Sequence, residues 1–153
     1  MKIKTITTVG LISALYVAIT IILAPISFGI FQFRVSELLK PIALKGKRYV
    51  IALTIGLFLA NLFSPSVGLM ELIFMPIVCA GGGILSYLIR KRPIISTTLY
   101  ALIISLGVAV TLLVNFNAPF FLTFCSIFIS EFVLMHIGGI LVDYIFRYTT
   151  IEK

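Results

Sequence analysis

The sequence predicts an all-α integral membrane protein: a single domain, residues 1–153, folded as a bundle of six transmembrane helices with a short second one and both termini cytoplasmic. Three observations predict it. Of the 153 residues, 61% are hydrophobic and only 11% charged, against about 45–50% apolar and 25% charged in an average soluble domain. Several apolar runs approach the roughly 20 residues that carry a helix across a bilayer. The basic residues stand in short clusters between those runs, as lysine and arginine do on the cytoplasmic side of a membrane.

The first span covers residues 6–25. Its setting, "MKIKTITTVGLISALYVAITIILAP", resembles a secretory signal. The apolar stretch of about 20 residues exceeds the usual 7–15 of a signal core, and more spans follow, so it is expected to be a retained helix. Ala14 and Ala18 in "ALYVA" have the small-xxx-small spacing that lets another helix approach closely. The second span, residues 35–44, is too short for a straight crossing. The stretch from Ile26 suffices if part of it is extended and buried against protein. A five-span chain with its N-terminus outside is the alternative, and charge alone barely separates the two.

The remaining spans are expected at residues 49–63, 70–89, 94–115 and 120–146. Glycines 81–83, in "CAGGGILS", fall inside an apolar span with no "GK[ST]" after them. They are expected to serve close helix packing, not phosphate binding, so the chain should carry no ATPase of its own. Cys79 and Cys125 both lie in apolar runs, where packing is the plain expectation. No Cys/His spacing suggests a metal, and nothing points to a cofactor.

The net charge of +7 does not point to nucleic acid, because no basic face on a soluble domain exists to carry it. Basic loops beside spans can instead meet anionic lipid headgroups. In the six-span arrangement, of the twelve Lys and Arg residues only Arg34 falls outside. Lys40 is counted there with the cytoplasmic cluster that runs to Arg48.

That topology places Glu37, Asn61, Glu71, Asn115 and Asn117 near the outer side. Arg34 and Glu37, at i and i+3, are spaced to pair on one helical face. The same two side chains could instead offer a ligand a donor fork and an acceptor, with the Gln32 amide beside them. Phe28, Phe31 and Phe33 supply flat apolar surface for stacking or lipid contact. Glu131 is about 16 Å into the last span at 1.5 Å per residue, a depth where an ionisable group usually faces the bundle interior. It is either a protonated or hydrogen-bonded structural group or a ligand or coupling-ion site. Glu71 suits a helix start, and Asn61 a helix end. His136 is expected to bond between helices, and Asp143 and Arg147 to form a surface pair. No catalytic set is present: there is no His-Glu-x-x-His, no nucleophile elbow and no arguable triad.

"APISFG" at residues 24–29 and "QFRVSE" at 32–37 resemble the signature of the QueT family. "LFLANLF" at 57–63 and the glutamate of "ISEFVLMHIGG" also look like family positions. Such proteins are substrate-binding S components of energy-coupling factor (ECF) transporters for queuosine precursors. The resemblance implies a six-helix S component of a bacterial cell membrane, binding substrate from outside beneath the loop after the first span. Its partners would be one transmembrane T subunit and two ATP-hydrolysing subunits, and Ala14 and Ala18 match the Ala-xxx-Ala contact to the T subunit. A 7-deazaguanine presents two N–H donors suited to a carboxylate, a carbonyl suited to Arg34, Gln32 or Asn61, and a ring face suited to Phe28 or Phe33. Glu37, Glu71 or Glu131 would take the ring edge and any amine. The sequence departs from the family pattern at "MELIFMP" and at Tyr100, so another purine-like or vitamin-sized substrate is an alternative, as is a stand-alone proton-coupled carrier.

Overall fold

A computed structural model describes residues 3–27, 33–65 and 67–148. The apolar runs fold as helices: α1 (Ile3–Ile22), the single turn α2 (Ala24–Ser27), a 3-10 helix (Val35–Lys45), α3 (Lys47–Asn61), a π-helical turn (Met70–Phe74) leading into α4 (Met75–Leu88), α5 (Pro93–Phe116) and α6 (Phe120–Tyr148). Among the described residues, four stretches are long and apolar enough to cross a membrane: Ile3–Ile22, Met70–Leu88, Pro93–Phe116 and Phe120–Tyr148.

Each long helix buries one narrow face and turns the rest outward. On α1 the buried residues are Val9, Ser13, Tyr16 and Thr20, spaced three and four apart, which is one stripe of a helix. Leu11, Leu15 and Ile22 point outward, and so do Ala14 and Ala18. An outward face of this composition belongs in lipid, where apolar exposure is not penalised.

α1 lies against α3. The close approach is at Gly56, where a Cβ would come within 3.0 Å of Tyr16 Cβ. Ser13 fixes the pair by donating to the Ala52 carbonyl at 2.7 Å. Between α4 and α5 the glycine run works as expected at two of its positions. A Cβ on Gly82 would meet the Tyr100 ring and one on Gly83 would meet Val50, whereas Gly81 faces open space. Ser86 and Ser96 lock these helices by donating to each other's carbonyls at 3.0 and 2.8 Å. α5 closes at Asn117, whose φ of 51° is the left-handed cap that asparagine tolerates.

The short second span is the centre of the fold. The 3-10 helix packs against α1, α3, α4, α5 and α6. At about 2.0 Å per residue its 11 residues reach roughly 22 Å, against roughly 16 Å for the same residues as α-helix. The tighter winding therefore extends a chain too short to cross as α-helix. Pro41, inside it, contributes no backbone N–H and so leaves no buried donor to satisfy. Gly138 of α6 abuts the Leu38 carbonyl so closely that no Cβ fits between them.

Several expectations are corrected here. Lys40 does not belong to the basic loop: it is fully buried, with 0% exposure. Asp143 pairs not with Arg147 but with Lys45, at 2.6 Å, joining α6 to the end of the 3-10 helix. Cys79 is buried, but Cys125 is partly exposed. His136 behaves as expected: Nδ1 lies 2.7 Å from the Phe132 carbonyl, and Nε2 lies 3.4 Å from Thr98 on α5.

Candidate functional site

The polar residues buried among apolar helices converge where the 3-10 helix begins. Arg34 precedes it with extended backbone, φ −89° and ψ 93°. Its guanidinium is thereby sent away from the helix axis, and it donates to Asn61 Oδ1 at 3.1 Å. Asn61 is the last residue of α3 and passes its own amide on, donating to the Glu71 carbonyl at 2.8 Å. One asparagine thus ties Arg34 to the π-helical turn. Glu71, in that turn, is buried.

Glu37 departs from the sequence expectation. The salt bridge it forms is with Lys40, one 3-10 turn later. Residues i and i+3 eclipse in a 3-10 helix, so the two side chains stack on one side. Glu37 Oε1 also accepts the Tyr16 hydroxyl at 2.6 Å. With 1% and 0% exposure, Glu37 and Lys40 are a fully buried ion pair, which is costly to break from one side because the survivor is stranded as an uncompensated charge. Beside them the Thr20 hydroxyl lies 2.8 Å from Ser36 Oγ, a second polar tether from α1.

Beneath Lys40 lies Tyr100. The ammonium is 5.5 Å from its ring centroid, within cation–π range. The Tyr100 hydroxyl donates to the Cys79 carbonyl at 3.1 Å. Tyr100 is therefore a wall of this polar layer.

Glu131 arrives from α6 with 3% exposure. Its charged neighbours are Glu37, Lys40 and Arg34. Its Oε2 is buried and has no hydrogen-bond partner among the described residues. Arg34, Glu37 and Glu131 line one cavity with Leu57, Met75, Ile104, Val108 and Ile127. Arg34, Asn61 and Glu71 line a second with Met75, Val108, Thr111 and Leu112. Each measures ≈ 10 Å³, about the room of a single water. Arg34, Met75 and Val108 border both, so Arg34 stands as a partition across what would otherwise be one chamber.

Of the residues expected to bind, Arg34, Glu37, Asn61, Glu71 and Glu131 are brought together. Phe33 is at the rim, 36% exposed. Gln32 and Phe28 lie outside the described residues, as does Phe31. Ala14 and Ala18 are remote from this cluster, on the outer face of α1. The residues that sequence reasoning missed are Lys40 and Tyr16; Tyr100 it named only as a departure from the family pattern. The i, i+3 step from Glu37 to Lys40 is the one signal that could have found Lys40. Among the described residues no group of three or more His, Cys, Asp or Glu side chains is placed to hold a metal ion.

Comparison with known proteins gives a consistent result. The family model described as "QueT transporter" matches residues 6–147. A curated protein of Lactococcus lactis subsp. cremoris (strain MG1363), "Queuosine precursor transporter QueT", is 31% identical over 156 residues, covering 90% of this chain and 89% of that protein. No solved structure matches the chain.

Proposed function

Because the chain belongs to the QueT transporter family, and so is a multi-pass transporter of the bacterial cell membrane and not an enzyme, we propose that it is the substrate-binding S component of an ECF importer for a queuosine precursor. The ligand would be a 7-deazaguanine such as 7-aminomethyl-7-deazaguanine or queuine. The observation that carries this reading is the family match across residues 6–147 coinciding with a buried polar cluster made from six elements of an otherwise apolar bundle.

The chemistry of the cluster supports the ligand class. Arg34 is a planar donor fork that can meet the ring carbonyl, with the Asn61 amide as a second donor or acceptor. Glu71 and Glu131 are acceptors for the ring's amine and amide hydrogens and for an aminomethyl cation. Phe33 stands at the rim for contact with the ring face.

The two small cavities cannot hold a bicyclic ring, so binding requires Arg34 to swing off Asn61 and merge them. Arg34 can do so because it stands before the 3-10 helix and not within it. The ligand then replaces the contact between Arg34 and Asn61 with bonds of its own. With the basic end of the bundle inside, the chamber opens outward. The T subunit and two ATPase subunits would reorient the S component in the membrane, with Ala14 and Ala18 as the contact on α1.

The test is titration of the detergent-purified protein with 7-aminomethyl-7-deazaguanine and queuine, with thiamine, biotin and guanine as controls. Selective binding at nanomolar concentration is expected, weakened by roughly 10- to 150-fold in Arg34→Ala, since one charge-assisted fork is worth roughly 1.5–3 kcal/mol. A well-folded sample that ignores both deazaguanines would overturn the ligand assignment. Uptake into vesicles by the chain alone, driven by a proton gradient and without any ATPase, would overturn the S-component role.

A further inference from the structure

Building on the deazaguanine reading, we propose that Glu131 is the carboxylate that receives the ligand's N–H donors, and that Lys40 is a specificity-determining positioning residue that withholds Glu37 from the ligand. Two carboxylates border the same cavity with Arg34, yet their surroundings differ. Glu37 is engaged from both sides, accepting the Tyr16 hydroxyl on Oε1 and ion-paired with Lys40. Glu131 has Glu37 as a hydrogen-bond neighbour, while its buried Oε2 has no donor among the described residues. A buried acceptor without a donor is costly, and here it faces a cavity at 3% exposure, so a ligand donor is the partner that completes it.

Lys40 sets the charge that the ligand meets. Arg34 and Lys40 oppose Glu37 and Glu131, all four within mutual electrostatic reach. With Lys40 in place, Glu37 is neutralised inside the scaffold and one acceptor faces the chamber. Without it, Glu37 becomes a second uncompensated carboxylate on the same cavity. The site would then favour cationic ligands over neutral ligands of the same shape. A lysine that merely packs the core would not bias the site in this way, because its loss would weaken both kinds of ligand together.

The experiment compares two ligands with one ring system, cationic 7-aminomethyl-7-deazaguanine and neutral 7-cyano-7-deazaguanine, across the full-length wild type, Glu131→Gln, Lys40→Met, Lys40→Arg and the double variant Glu37→Gln with Lys40→Met. Melting temperature is recorded for each without ligand. Glu131→Gln is expected to keep the wild-type melting temperature and lose at least about tenfold in affinity for both ligands. Lys40→Met is expected to raise the cation-to-neutral affinity ratio at least about tenfold, and Lys40→Arg to restore the ratio. The double variant removes both charges and should bind within about tenfold of wild type. Should Lys40→Met or the double variant not fold, Lys40→Gln removes the charge while keeping a hydrogen-bond donor beside Glu37 and must shift the ratio in the same direction.

Binding by Glu131→Gln within about threefold of wild type would overturn the assignment of Glu131. An unchanged ratio in Lys40→Met, or in Lys40→Gln where that variant stands in, would overturn the role of Lys40. Neither result touches the transporter reading, whereas a wild type that binds no deazaguanine overturns both.

Discussion

At the scale of single residues, the site turns on where the backbone stops being helical. Sequence spacing offers Glu37 two partners three residues away, Arg34 and Lys40, and the sequence reading weighed only Arg34, either as an ion pair or as a second group facing a ligand. Both are at i, i+3, but only Lys40 shares the 3-10 helix with Glu37. Arg34 stands before it with extended backbone, and so reaches Asn61. The carboxylates and Arg34 were legible because charged groups in apolar runs are conspicuous. Tyr16 was not, since a tyrosine in a membrane helix raises no alarm and its partner lies in another span; Tyr100 drew notice only as a departure from the family pattern, not as the ring beneath Lys40. Their contribution can be measured. Tyr16→Phe removes a 2.6 Å bond to Glu37 while keeping the ring. A hydrogen bond to a charged group contributes about 1.5–3 kcal/mol, so the melting temperature in detergent should fall by several degrees. A melting temperature unchanged from wild type would mean that Glu37 does not depend on this donor.

At the scale of elements, the sequence located all the long helices, because length and apolarity are enough to reveal them. It anticipated that the second span was too short for a straight crossing, but not that it winds as a 3-10 helix. Hydrophobic periodicity does not separate that winding from a broken α-helix. What admits the segment is glycine on α6. The pair Gly138 and Gly139 makes a clean comparison, because both sit on one helix. Alanine at either gains about 0.8–1 kcal/mol of helix propensity. At Gly139 the nearest atom to a new Cβ is Pro41 Cβ at 3.9 Å, ordinary contact, so Gly139→Ala should be neutral or slightly stabilising. At Gly138 the new methyl would strike the Leu38 backbone, which cannot rotate away as a side chain can. Overpacking of this kind costs about 1–3 kcal/mol or more, exceeding the gain. Gly138→Ala should therefore lower the melting temperature and weaken ligand binding together, since Leu38 adjoins Glu37. Equal stability of the two variants would show that the 3-10 helix is not wedged against α6.

At the scale of the whole molecule, two surfaces of different character suggest how the protein is placed. One end of the bundle carries Lys45, Lys47, Arg48, Arg90, Lys91 and Arg92, while Asn61 and Glu71 stand toward the other end, and the excess of positive charge marks the cytoplasmic side. Along the side, α1 turns Ala14 and Ala18 outward, opposite the stripe of Ser13, Tyr16 and Thr20 that holds the site. A helix that faced only lipid would gain from large side chains there. Two alanines one turn apart instead leave a shallow groove into which another helix can settle. If that helix belongs to the T subunit, replacing both alanines by leucine should separate assembly from binding. Neither alanine touches the polar cluster, so the purified variant should keep its melting temperature and bind a deazaguanine as the wild type does. Co-expressed with the T subunit and the two ATPases, it should fail to co-purify with them and fail to support ATP-dependent uptake. Co-purification at wild-type yield would move the subunit contact to another face of the bundle, and loss of ligand binding in the isolated variant would mean that α1 transmits changes on its outer face through Tyr16 to Glu37.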